Sequence, residues 1–148
     1  MVKSAMRQLI AAAVRRIASF SKTLEGYEEP ELVDVILQKT KAYEPKDDWP
    51  EMAGVSSVLD FGGGCGVHYK QARSPIIRWA VVETPAMVER ASKLGTDKLK
   101  FFTSIAAAAD WLGSIDTVYS SGALQYAPDP EHIVGQLCAS PGSRACKL

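Results

Sequence analysis

Between Val55 and Leu137 the chain alternates short, β-rich apolar runs with stretches of helical composition. The runs Val55–Leu59, Ile76–Val82, Leu99–Phe102 and Ile115–Tyr119 predict four strands. Between them lie a glycine-rich turn with a short helix to about Ala72, a helix from Pro85 to about Leu94, and an alanine-rich helix from Ser104 to Leu112. Asp129 to Leu137 predicts a further helix after the fourth strand. Such βα alternation implies an α/β fold, a doubly wound parallel sheet joined by right-handed crossovers.

Upstream the pattern is helical. From Gly26-Tyr27 an acidic run, Glu28, Glu29 and Glu31 around Pro30, favours the positive end of a helix that runs to about Tyr43. Leu32, Val35, Ile36, Lys39 and Ala42 mark its expected inner face, and the stretch from Glu44 to Pro50 breaks it. Trp49 in that break is read as a packing residue. The first 24 residues carry Lys3, Arg7, Arg15, Arg16 and Lys22 and no acid, with apolar residues at helical spacing. This amphipathic segment has three readings: a helix docked on the fold, a membrane-surface helix, or an organelle transit peptide. The division that follows is an N-terminal helical cap over 1–50, a cofactor-binding α/β domain over 51–139, and a loose tail over 140–148.

Composition narrows the partners. A chain of 148 residues suits one domain with a real core. The balance of 17 basic against 17 acidic residues leaves no global field for nucleic acid and points to a small molecule or a protein. Cys65, Cys138 and Cys146 form no C-x-x-C pair, no cleavable leader is recognised, and no apolar run approaches the ~20 residues needed to cross a bilayer. A cytoplasmic location is expected. Two histidines and three scattered cysteines offer no metal-ligand spacing.

The candidate chemistry starts at VLDFGGGCG, Val58 to Gly66. An acid closes the first strand, and glycines at 62, 63, 64 and 66 allow positive φ and close ligand approach. Opening into a helix, the loop is expected to present unpaired N–H groups to an anionic ligand group. A nicotinamide or flavin site wants G-x-G-x-x-G, but after Gly62 and Gly64 the third position is Val67. A P-loop wants lysine where His68 stands. What remains, D-x-G-x-G-x-G, resembles the first motif of class I S-adenosylmethionine-dependent methyltransferases, where the loop underlies the methionine part of the cofactor.

Two further elements agree. Glu83 ends Trp79-Ala80-Val81-Val82, 17 residues after Gly66. An acid so placed in a nucleotide-binding βαβ unit accepts hydrogen bonds from ribose hydroxyls. The stretch from Val118 to Pro130 looks like the fourth motif of the same enzymes, a strand ending in small polar residues, then an aromatic and an Asp-Pro pair. With strand order 3-2-1-4 the crevice between strands one and four puts the loop and Ser120 to Tyr126 in one pocket.

Five blocks in order, EGYEEPELVDVILQKTKAY (25–43), VLDFGGGCGVHYKQ (58–71), IIRWAVVETPAMVE (76–89), LKFFTSI (99–105) and SSGALQYAPDP (120–130), together resemble a group of uncharacterised bacterial methyltransferases. The resemblance implies a Rossmann-like fold, S-adenosyl-L-methionine as cofactor, and methyl transfer to an unidentified small-molecule or saccharide acceptor. It assigns the cofactor to Asp60, Gly62, Gly63, Gly64, Gly66, Tyr69, Glu83, Ser104, Ser120 and Ser121. If the acceptor is a hydroxyl or amine, His68 and Tyr126 are candidates to take its proton, each weighed against a packing role. Cys65 is read as a small filler in the loop. A complete fold of this class continues past strand four, so the chain is expected to be C-terminally truncated, with strand four an exposed edge, its apolar face partly uncovered and turnover impaired. The alternative is a non-catalytic module that holds the cofactor or docks on a partner.

Overall fold

A computed structural model of the chain describes residues 28–73, 77–140 and 145–147. The basic segment expected to be an amphipathic helix, and the Gly26-Tyr27 start of the next, lie outside these residues.

Helix α1 spans Pro30–Ala42, with Pro30 and Glu31 in its first turn and Lys39 and Lys41 in its last, the polarity that a helix dipole favours. Its inner face differs from the expected one. Val33, Leu37 and Thr40 are buried, whereas Leu32 and Val35 are 37% and 48% exposed. The position of its neighbours decides this, because Val33 and Leu37 share an apolar cluster with Cys65 of the glycine loop and with Met87 and Ala91 of the helix after the second strand. Lys70 Nζ donates to the last-turn carbonyls of Thr40 and Lys41 at 2.9 and 3.0 Å, which fastens the C-terminal end of α1 beside the loop.

Beyond a 3-10 turn at Pro50–Met52, strands β1 (Ser57–Phe61), β2 (Arg78–Val82), β3 (Leu99–Phe102) and β4 (Thr117–Ser120) pair in parallel in the order β3-β2-β1-β4. This is the α/β Rossmann-like architecture that the alternation predicts. The alternating helices are α2 (Val67–Ala72), α3 (Pro85–Ala91), α4 (Ile105–Leu112) and α5 (Pro130–Cys138). Three start on capped residues, Thr84, Ser104 and Asp129, whose side chains accept from the N–H three positions on. β1 and β4 begin two residues later than their apolar runs. Val55 N–H is still bonded to Met52 in the preceding turn, and Ser56 N–H donates to the side chain of Asp116, Oδ2 at 2.8 Å, while only its carbonyl accepts from β2, from Arg78 N–H at 2.9 Å.

Both faces of the sheet are covered, which is why β2 reads from Trp79 to Val82 as a continuous apolar run instead of alternating. Leu59, Ala80 and Val118 pack with Ala108 and Leu112 of α4 and Leu137 of α5 on one face. Val58, Trp79 and Val81 pack with Met52 and Ile77 on the other, where Trp49 and Tyr69 also lie.

The C-terminal expectations need correction. Ala145–Lys147 is not loose tail but a short fifth strand, β5, paired in parallel with β4 from Thr117 to Tyr119. β4 is therefore not the sheet's edge, and its apolar residue Val118 is covered by Leu137. Three residues are too few for a periodicity to show in sequence, and only the open side of β4 makes a strand of them.

Candidate functional site

At the end of β1 the chain turns through Gly62, Gly64 and Gly66 with φ of 74°, 58° and 89°. Residues with a Cβ rarely adopt this region. Two glycines are also sterically required: a Cβ on Gly62 would overlap Ala123 Cβ, and one on Gly63 would overlap the Asp60 carboxylate beneath it. At Gly64 an added Cβ would meet only Ile36 at an ordinary 3.5 Å, so there the dihedral angle alone makes the demand. The expectation of free loop N–H groups is corrected at these three glycines. Gly62 N–H donates to Val82 O at 2.9 Å, Gly64 N–H to Glu83 Oε1 at 3.0 Å, and Gly66 N–H to Gly63 O at 3.0 Å. Through Gly62 and Gly64 the loop lies down on the end of β2, and these three donors are engaged within the protein.

Glu83 is the acid that holds it there. Oε1 accepts from Gly64 and Oε2 accepts from the N–H of Thr84 at 3.0 Å. Burial pushes its carboxyl pKa up, and the charges of Asp60 and Glu28 add to this, while the two backbone N–H groups pull it down without cancelling the rise. Each oxygen keeps a lone pair for a second donor.

Asp60 is fully buried and faces the other way. Its Oδ2 accepts from the Trp79 indole N–H at 3.0 Å and from His68 Nδ1 at 2.9 Å, while Oδ1 has no partner. His68, on the first turn of α2, is further held by ring contacts with Tyr119 and Trp49, at centroid distances of 5.0 and 6.4 Å. Burial disfavours the charged imidazolium, but the hydrogen bond and charge of Asp60 outweigh it and raise the His68 pKa above its ordinary value.

These elements enclose a cavity of about 600 Å³ at the carboxyl ends of β1, β2 and β4, within the range that small-molecule sites occupy. Gly62, Gly63, Gly64, His68, Glu83, Ser121 and Tyr126 line it. Other expected site residues stand apart. Tyr69 packs edge-on against Trp79, 6.0 Å between centroids, in the sheet's core. Ser104 caps α4 through Ala107 N–H at 3.2 Å, and Ser120 Oγ donates to Phe61 O at 3.0 Å, stitching β4 to β1. Asp60 and Gly66 support the loop without lining the cavity. Sequence reasoning missed Ala123, which needs Gly62 bare; Trp79, whose buried indole N–H required an acceptor; and Ile36 and Thr40, which bring α1 to the cavity wall. Among the described residues no cluster of histidine, cysteine and acidic side chains could hold a metal ion, and no helix is long and apolar enough to cross a membrane.

Cys65 is 1% exposed, its Sγ 3.4 Å from Met87 Sδ. Burial, with Glu83 adding to it against Lys41, pushes the thiol pKa up to about 11, so little thiolate exists at neutral pH. Iodoacetamide at neutral pH should alkylate exposed Cys138 and leave Cys65 unmodified until the protein is denatured. Peptide mapping that found Cys65 labelled as fast as Cys138 would contradict the filler role.

No protein-family model and no curated protein matches the chain. Among solved structures it is similar to a chain in the complex between the Haloferax volcanii Trm112 methyltransferase activator and a methyltransferase, at 26% identity over 75% of this chain and 50% of that one, TM-score 0.47. It is also similar to the N-terminal domain of EvdMO1 with SAH bound, at 15% identity over 95% of this chain and 62% of that one, TM-score 0.49. The chain thus spans about half to three fifths of the lengths of these two structures. With TM-scores this low they are likenesses of outline, and what the site can do follows from its own residues.

Proposed function

We propose that this chain binds S-adenosyl-L-methionine in the cavity at the ends of β1, β2 and β4 and serves methyl transfer to a small-molecule or saccharide acceptor. The observation that carries the reading is the pairing of a Cβ-free loop at the end of β1 with a two-oxygen acceptor, Glu83, at the end of β2, both facing one cavity where the strand order reverses. The residues fit the cofactor. Gly62 to Gly64 present bare backbone to the cavity, with Gly64 the one of the three where a Cβ would overlap nothing, and Glu83 can accept both hydroxyls of an unphosphorylated ribose while it remains bonded to Gly64 and Thr84.

When bound, the cofactor supplies a methyl group on a sulfonium, already activated for transfer, so the protein's task is positioning. Ser121 to Ala123, in the loop after β4, and Tyr126 form a further part of the cavity lining. A nicotinamide cofactor would want a third glycine at Val67, where this chain has helix.

Calorimetric titration tests this directly: S-adenosylhomocysteine should bind and NAD should not. Glu83→Ala should weaken binding by about 1–3 kcal/mol through the loss of charge-assisted hydrogen bonds, and Glu83→Gln by less. Affinity should also fall at acid pH. Glu83 holds the ribose as a carboxylate, and because its pKa is raised, that form is lost at a higher pH than for an ordinary glutamate. Equal affinity in wild type and Glu83→Ala would leave Glu83 a strand end that only pins the loop.

A further inference from the structure

An anionic group entering the cavity finds little positive charge waiting. The loop N–H groups at Gly62, Gly64 and Gly66 are already engaged. Of the described lining side chains two are acids, Glu28 and Glu83, and one is basic, His68. His68 is also oriented for the task. Nδ1 is fixed on Asp60 Oδ2 at 2.9 Å, the rings of Tyr119 and Trp49 stand edge-on to it, and Nε2 has no hydrogen-bond partner among the described residues. The side chain is 16% exposed and the residue lines the cavity, whereas Asp60 is sealed off at 0%.

We infer that His68, positioned by Asp60, is the carboxylate anchor of this site: its Nε2–H donates to the α-carboxylate of the amino-acid moiety of the bound cofactor. The inference rests on the S-adenosylmethionine reading and adds to it a specific recognition group. The physical reason is charge. Asp60 supplies a buried negative charge on the far nitrogen, which favours the imidazolium, and an imidazolium between two carboxylates gives a charge-assisted bond at each nitrogen. The same arrangement turns away a ligand that lacks the carboxylate, since the charged ring would then face the cavity unpaired. The titratable groups that face the ring are Asp60 from β1 and Tyr119 from β4; Glu83 interacts in turn with the charge of Asp60.

The test compares two ligands, S-adenosylhomocysteine and its decarboxylated analogue, by calorimetry on the full chain at about pH 6 and about pH 9. Wild type should prefer S-adenosylhomocysteine by about tenfold or more at the lower pH, the worth of a charge-assisted hydrogen bond. The preference should shrink at the higher pH, because His68 loses its proton as pH rises through its raised pKa. In His68→Gln the two ligands should bind nearly alike at both pH values. Should that variant fold poorly, the wild-type comparison still decides, since it removes the carboxylate from the ligand instead. A wild-type protein indifferent to the carboxylate, or a His68→Gln protein that keeps the full preference, overturns the anchor and leaves the cofactor reading standing. No binding of S-adenosylhomocysteine at either pH overturns both.

Discussion

Replacing Gly62 by alanine is expected to remove S-adenosylhomocysteine binding and to cost about 2–5 kcal/mol of stability. Two penalties add. The residue has φ 74°, where a Cβ crowds its own backbone, and that Cβ would overlap the Cβ of Ala123 in the loop after β4. Relief by backbone movement would either displace the cavity-lining loop Ser121 to Ala123 after β4 or shift Gly62 at the cost of its N–H bond to Val82 O of β2. Against a total stability of ~5–15 kcal/mol the loss is large. The double variant Gly62→Ala/Ala123→Gly separates the terms, since it removes the overlap and keeps the dihedral strain. Denaturant unfolding should show the double variant recovering part of the loss. No recovery would mean that the dihedral angle alone matters, and unchanged stability in the single variant would contradict the close approach itself.

Asp60→Ala should be comparably damaging, at about 3–5 kcal/mol, because it removes one member of a buried set and strands the others. The Trp79 indole N–H, 3.0 Å from Oδ2, loses its acceptor in the core, and His68 loses the group that orients it. Asp60→Asn keeps the shape and one carbonyl oxygen, so it should fold but give His68 a lower pKa. The sign of the pH effect follows. In wild type the His68 pKa is raised, so the pair's contribution is fully present below the unfolded-state value and is lost as pH rises through the folded value. The stability gap between wild type and Asp60→Asn should therefore be wide near pH ~6 and narrow near pH ~9. Urea unfolding at the two values measures it. A gap that widened with pH would show that His68 is not stabilised in its charged form by Asp60.

The sequence was most informative where one local rule dominates. Alternating apolar runs and helical stretches placed four strands and their connecting helices, and the structure adds the caps at Thr84, Ser104 and Asp129 that start three of those helices, each acting within a single turn. The strand order β3-β2-β1-β4 came with the family resemblance, and the structure has it; alternation by itself implies only a parallel sheet with right-handed crossovers. The glycine loop and Glu83 were legible as a pair, because the turn needs positive φ and the acid falls at a strand end.

Tertiary structure decided the rest. Which face of α1 turns inward depended on where Met87 and Ala91 stand, which no periodicity within Pro30–Ala42 contains. Serines of one composition separated into roles by position: Ser104 caps a helix, Ser120 stitches two strands, and Ser121 reaches the cavity. Tyr69 follows His68 by one residue, and the 100° turn of a helix sends it to the core beneath Trp79 while His68 stays at the cavity. Ala145–Lys147 became a strand because β4 offered unpaired backbone groups, not because of its own composition. The sequence determined the parts with short-range causes, the strands, caps and glycine turn. The fold alone decided what depends on side chains from distant segments meeting, since the Asp60, His68 and Trp79 contacts exist only once β1, β2 and α2 are packed together.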